Sequence, residues 1–502
     1  MKIVQYLAFV LFLAVILFIP HDIVLASSVS PKEFGYMEAK TGEERYMALY
    51  NTHSYAFTNN KQVSYSGIEY IYLSIPKGAK SIPLCDKTDF CGASFIVYND
   101  VRDNFPLFEL KGSLNGCSVS VDDNGNFSID SNIEKRNVVL VLTDNKPWVA
   151  ERHGFGYNAI RKDILYVKNG RSKNSTIAPY FKTSNVNAEY FIPNIKRQYF
   201  RNITFIRDAR SSKKTLLINV ENIYNLEISK VKVTTPVNDS LYGDAIITIR
   251  NGVKIKFKDI QVDNTYSFED KYGYAFVLNN VANFEANNIK AIGKWGVFCC
   301  NNLNTSKVSS STINRFDIHC YGKDFSFNTC SFTKTGIPMS SFYGRANFKK
   351  CTFDNAIPII YRADYNAYTF FELSFSNCIF KFDDRHNYLV DLARIPKEAN
   401  SREELSEKYL PNITIDNCSF ILESGASQVS IIKGGINADG ILFNGFNRID
   451  ISRVDANIDG CDLFLFDSPI IREKDVNIHY DGSLLEMTNK DNKNRVFKIE
   501  LN

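Results

Sequence analysis

The chain is short of the features that mark several common protein classes. Charge of one sign is missing: 59 Lys and Arg against 55 Asp and Glu leave a net charge of +4 over 502 residues. So small an excess argues against a nucleic-acid partner, which needs several phosphates neutralised. Histidine is scarce, at six residues, and tryptophan scarcer, at two. No Cys/His cluster has zinc spacing, and no serine-nucleophile motif is visible. Apolar runs long enough to span a membrane are lacking throughout. Helical periodicity is almost absent beyond the N-terminus. Asn-Gly and Asp-Gly turns are sparse, which weighs against a hairpin-built sandwich or barrel.

The N-terminus carries a targeting segment. Lys2 gives it a positive start, and Leu7 to Ile19 is an apolar run of about 13 residues, short of the roughly 20 that span a bilayer. Pro20 ends the run, and Val24-Leu25-Ala26 before Ser27 reads as a small-residue cleavage site. Residues 1–26 are therefore expected to be a removed signal peptide, a retained anchor being the alternative. The mature protein is expected to be exported, to the periplasm or outside the cell, with no membrane attachment after cleavage.

Eleven cysteines in an exported chain suggest disulfides, and Cys85 with Cys91 could form a local bridge. The spacing of the others points elsewhere. Ser326-Phe327-Asn328-Thr329-Cys330-Ser331-Phe332 recurs in outline around Cys351, Cys378 and Cys418. Each segment reads polar, apolar, polar, polar, Cys, one residue, Phe. Upstream the same slot holds aliphatics, at Ile203, Val231, Ile260 and Ile289. With 311 and 454, the slots lie about 19 to 40 residues apart. A fixed slot, variable gaps and strand-like flanks predict an all-β fold, a right-handed parallel β-helix, in which slot residues stack from coil to coil. The cysteines are then small core hydrophobes in an inward ladder. The polar pair before each slot is the corner, where Asn tolerates left-handed backbone.

The remaining chain divides by pattern. Residues 31–190 are assigned to an N-terminal cap and early coils, with a short helix near Glu43 to Tyr50 and strands at 71–75, 94–98 and 138–142. Residues 191–468 form the β-helix body, and 469–502 a C-terminal cap. Glu403 to Lys408 reads as a short helix in a loop insertion, and the Gly-x-Gly beside His153 as a turn.

One strand stands out for its chemistry. In Arg315-Phe316-Asp317-Ile318-His319-Cys320-Tyr321, alternation puts Phe316, Ile318 and Cys320 on one face. Arg315, Asp317, His319 and Tyr321 fall on the other. A cation, a carboxylate, an imidazole and a phenol in alternate positions are groups suited to acid–base work on a sugar. An outward row of this kind can also be a solvated ladder of cross-strand pairs. Neighbouring coils would add Tyr272, Lys294 and Trp295 on one side, and Tyr343, Arg345, Arg362 and Asp364 on the other. Aromatic faces stack on sugar rings, and Arg or Lys pairs with carboxylates.

The coils resemble those of the pectate-lyase-like β-helix superfamily, whose members include polysaccharide lyases, glycoside hydrolases, esterases, epimerases, adhesins and tailspikes. The Asp317-Ile318-His319 segment is similar to the Asp-Pro-His-Asp motif of alginate C5-epimerases, with Ile318 in place of Pro and Cys320 in place of the last Asp. There the His is the proton-abstracting base. The resemblance implies a polysaccharide partner in a groove on the outer face. His319 would be the base, Tyr321 the acid, Asp317 the orienting group and Arg315 or Arg345 the holder of a substrate carboxylate. Lyase and hydrolase chemistry are the leading expectations, the latter using Asp317 with a carboxylate such as Asp364. Epimerisation, or a non-catalytic adhesin or tailspike-like role, is the alternative. The pectate-lyase calcium pattern is missing, so no cofactor is expected, although loop aspartates could hold calcium. The C-terminus shows no heptad repeat, which favours a monomer.

Overall fold

The computed structural model describes residues 28–498, interrupted chiefly at 99–104, 148–159, 178–179, 181–184, 208–214, 235–245, 264–273, 292–295, 363–369, 395–411, 424–427, 435–447, 468–476 and 487–495. The proposed signal peptide, the 403–408 helix and the His153 turn lie outside the described residues.

The repeat read from the cysteines is the repeat of the fold. Parallel pairing puts Ile203, Val231, Ile260 and Ile289 in one column. The column continues through Ser311, whose Oγ accepts from the Ile289 N–H at 3.0 Å. It then passes to Cys330, Cys351, Cys378 and Cys418, all buried. Each of these four thiols points at a carbonyl of the preceding coil, at 3.5 to 3.7 Å. The phenylalanines on either side of the slot also stack. Phe327, Phe348 and Phe375 form one ladder with centroids 5.0 Å apart, and Phe332, Phe353 and Phe380 form the other at 5.0 and 5.2 Å. All ten described cysteines are free, so the possible local bridge between Cys85 and Cys91 is not formed: Cys85 is buried while Cys91 is exposed.

The corner before the slot is left-handed in every coil from Asn202 to Asn417. Asn202, Lys230, Asp259, Asn288, Ser310, Thr329, Lys350, Asn377 and Asn417 have φ between 49° and 61°. A second corner column holds Asn222, Asn251, Asn280, Asn302 and Tyr321, with φ from 53° to 65°. Here the amides bond along the stack. Asn251 donates to Asn222 at 2.8 Å and Asn280 to Asn251 at 2.9 Å. Asn reaches αL at small cost, and its side chain meets buried polar needs that repeat with each coil.

Two parts depart from the coil pattern. The helix Gly42–Thr58 is longer than expected, opens on a Thr41–Glu44 capping box, and buries Tyr46, Leu49, His53 and Ala56. Within 31–190, strands Asn115–Cys117, Val138–Pro147, Ile160–Lys168, Arg171–Ser172 and Val186–Phe191 form an antiparallel sheet instead of coils. Its Val139, Val141, Ile164, Tyr166 and Phe191 pack on Tyr224, Val253 and Ala282 of successive coils, just past the second corner. Towards the C-terminal end, Asn477–Tyr480 and Ser483–Glu486 pair antiparallel.

Candidate functional site

The strand Phe316–Asn328 stacks on Gly296–Ser309, which stacks on Tyr274–Ala291. Phe276, Phe298 and Phe316 share the inward column, with ring centroids 5.1 and 4.8 Å apart. Val277, Cys299 and Asp317 share the next column, on the outer face. Leu278, Cys300 and Ile318 return inward. The adjacent cysteines thus face opposite ways, Cys300 into the core and Cys299 to the site.

At this point the register slips. Cys300 pairs with Ile318, but Asn301 pairs with Cys320, leaving His319 as an extra residue. A bulge of this kind re-aims a side chain and shifts everything after it by one. Cys320 therefore takes the outer column of Asn279 and Asn301, and Tyr321 takes the αL corner. Tyr321 was expected on the outer face beside His319. It is instead fully buried in the asparagine column.

Three expected groups do come together. Asp317 is fully buried, and its Oδ1 accepts from Arg315 Nε at 2.6 Å. Its Oδ2 accepts from the Tyr274 hydroxyl and lies 3.6 Å from His319 Nε2. His319 Nε2 is 3.2 Å from the Tyr274 oxygen, and Nδ1 is 3.2 Å from Cys299 Sγ. Burial pushes the Asp317 carboxyl up, but hydrogen bonds and charge from His319 and Arg315 outweigh it and hold it at about 2. Burial and the Asp317 charge push the Tyr274 phenol far above its ordinary range. The site at neutral pH thus holds a buried carboxylate, a guanidinium and a protonated phenol around one imidazole.

Tyr274 reaches this far because of Gly296. Tyr274 begins two coils before Asp317, and its ring lies across Gly296 in the coil between. A Cβ at Gly296 would come within 2.7 Å of that ring.

The other expected residues are elsewhere. Tyr343 stacks on Lys323, and Arg345 pairs with Glu372 at 2.9 Å, exposed, both beyond the second corner from His319. The backbone of Arg362 follows Tyr361, which stacks over Met339 and thence Ile318, so it continues the His319 strand. Tyr272, Lys294, Trp295 and Asp364 lie outside the described residues. Sequence reasoning missed Tyr274, Cys299 and Asn301. For Tyr274 the usable signal was the glycine one coil on. For Cys299 it was the alternation of a Cys-Cys pair on a strand. Among the described residues no group of three or more His, Cys, Asp or Glu is placed to hold a metal ion, and no helix is long and apolar enough to cross a membrane.

The coils and corners define a parallel β-helix, the fold expected from the slot pattern. Solved structures share this fold. The tailspike protein gp49 from Pseudomonas phage LKA1 matches with a TM-score of 0.59 at 14% identity, covering 88% of this chain and 78% of that one. The Pseudomonas phage phi297 tailspike gp61 matches at 0.56 and 10%, covering 91% and 80%. The Gp54 tailspike of Acinetobacter baumannii bacteriophage AP22, solved in complex with a capsular saccharide, matches at 0.50 and 10%, covering 90% and 79%. At such identities the likeness is one of fold. No family model matches the chain, and no curated protein matches it.

Proposed function

We propose that the protein is an exported, carbohydrate-active β-helix that processes a polysaccharide on its outer face, with His319 as general base. One observation carries the reading: a fully buried, ionised Asp317 ties Arg315, Tyr274 and His319 into a single network on that face. Burying a carboxylate is costly unless it serves its partners, and perturbed groups of this kind mark functional sites more often than surface ladders do. Asp317 touches no solvent, so its role is to position the imidazole. Arg315 positions Asp317 and keeps it charged. Tyr274, and not Tyr321, is the phenol of the site.

Two backbone reactions suit such a base. Removal of the C5 proton of a uronate, with loss of the C4 substituent, leaves an unsaturated sugar. Activation of water leaves a new reducing end. A binding-only role is the second reading, favoured by the saccharide bound to the Gp54 tailspike.

The test is a panel of uronic-acid and neutral polysaccharides, read by ultraviolet absorbance and by reducing ends. His319→Ala should lower turnover by about 10²- to 10⁴-fold in a protein that still folds, with a lowered melting temperature because Asp317 loses a partner. Turnover equal to the parent protein would remove His319 from the mechanism. Saccharide binding with no product from the parent protein would leave the binding-only role.

A further inference from the structure

The arrangement around His319 points to a nucleophile. Tyr274 stays protonated and donates its hydrogen to Asp317 Oδ2. Its oxygen can then only accept from His319, which places the imidazole hydrogen on Nε2 at 3.2 Å. Nδ1 is left as the basic nitrogen, and what it faces at 3.2 Å is the thiol of Cys299. A thiol beside a base that is itself oriented by a third group is the arrangement that activates a nucleophile. An amide stands beside it. Asn301 Nδ2 gives one hydrogen to Asn279 Oδ1 at 2.8 Å and lies 4.0 Å from Cys299 Sγ.

We propose that Cys299 is a catalytic nucleophile and that the site removes small acyl groups, such as acetyl esters, from a saccharide. The inference rests on His319 as general base and names the bond on which that base acts. The geometry selects the substrate class in two ways. Cys299 is 8% exposed and the His319 side chain 15%, which suits a small protruding substituent at the sulfur better than a polymer backbone. Attack at a glycosidic carbon would also need an acid for the leaving oxygen, and the Tyr274 proton is committed to Asp317. An ester carbonyl needs only a nucleophile, a returned proton and a donor for the oxyanion.

The steps balance. Cys299 passes its proton to His319 Nδ1 as sulfur attacks the acyl carbon. A C–S bond forms, and the carbonyl electron pair moves to oxygen beside the Asn301 amide. The oxyanion collapses, the C–O bond to the sugar breaks, and Nδ1 returns its proton to the sugar oxygen. Water then attacks the thioester while Nδ1 accepts its proton. The C–S bond breaks, sulfur is reprotonated, and the carboxylic acid leaves.

The experiment uses the full chain with 4-nitrophenyl acetate and with a chemically O-acetylated polysaccharide. Acetate release, backbone shortening and peptide mass are read in the same reactions. The expected result is acetate release with an acetyl group trapped on the Cys299 peptide. Cys299→Ala and Cys299→Ser should each reduce release by about 100-fold or more, and His319→Gln by a similar factor. A reading independent of any variant's folding is alkylation of the parent protein by iodoacetamide, which should label Cys299 ahead of the buried ladder cysteines. Undiminished release from a folded Cys299→Ala protein would overturn the proposal. So would a parent protein that releases no acetate and carries no acetyl-cysteine. Backbone shortening without acetate would also overturn it, while leaving the base role of His319 standing.

Discussion

A single carboxylate sets the character of the site. Asp317 has no exposure, yet hydrogen bonds and charge from His319 and Arg315 hold its carboxyl at about 2, so it is ionised wherever the protein is folded near neutrality. A buried charge with one partner removed is far worse than a buried pair. Arg315→Met, which keeps an unbranched apolar stem, should therefore cost about 3–5 kcal/mol in denaturant unfolding. A cost below about 1 kcal/mol would show that Asp317 does not carry its charge in the folded protein. At this scale the sequence was partly legible. Strand alternation alone grouped Arg315, Asp317 and His319. It misplaced Tyr321 because a one-residue bulge leaves no mark in composition, and parity carried through it inverts. Cys299 escaped because its partner comes from the next coil, and contact across coils is set by register, which no single strand contains.

The strand and its neighbours form the next level. Three successive coils build the site: one supplies Tyr274, the next supplies Gly296 and Cys299, and the third supplies Arg315, Asp317 and His319. Gly296 is the element that lets the first reach the third. Gly296→Ala would set a methyl group 2.7 Å from the Tyr274 ring, and the ring must swing away. The phenol then leaves Asp317, and the imidazole loses the partner that fixes its tautomer. The expected outcome is a fall in turnover of at least about 10-fold, with KM little changed and folding retained. Unaltered kinetics would mean that Tyr274 does not set the state of His319. The coils themselves were the most legible part of the chain. The Cys330, Cys351, Cys378 and Cys418 slots, their flanking Phe ladders and the corner asparagines all follow from one repeated steric demand. Each coil must bury the same position against the coil before it, so the demand is written many times over. The antiparallel strands of 115–191 were not legible as a separate sheet, because runs such as Val138 to Leu142 suit a buried strand in either setting.

For the whole molecule, acid is the condition that tests the fold. His53 is fully buried in the N-terminal helix, its Nε2 bonded to the Tyr65 hydroxyl at 2.7 Å, and burial lowers it to about 3. The folded state then holds the neutral imidazole, while the unfolded chain takes up a proton near pH 6.5. His53 therefore leaves stability intact above about pH 6.5 and removes it as the pH falls towards 3, by on the order of 4 kcal/mol. Asp317 is also lowered, so its contribution is complete above about pH 4 and is lost between about 4 and 2. Stability should thus be level around neutrality, decline below about pH 6, and steepen below 4. Denaturant midpoints measured across pH 3–8 check this, and His53→Gln should flatten the limb between 6.5 and 4. A parent protein equally stable at pH 7 and pH 4.5 would contradict it. In a solenoid each coil leans mainly on its neighbours, so the early acid loss belongs to the end that holds His53.

The inserted antiparallel sheet leaves and rejoins the coils against one strand. On the way out, the Gly112 N–H bonds the Glu221 carbonyl at 2.9 Å. On the way back, Gln198 Nε2 bonds the Tyr224 carbonyl at 2.9 Å, and Gln198 pairs with Leu226. Departure and return are anchored within a few residues of each other on Thr215–Thr234. Lys111 pairs with Glu221 and Gln198 with Leu226, so the coil register is kept across the splice. The excursion is therefore a buttress laid along the coils, since its sheet packs on Tyr224, Val253 and Ala282, and Ala282 lies on the strand that supplies Tyr274.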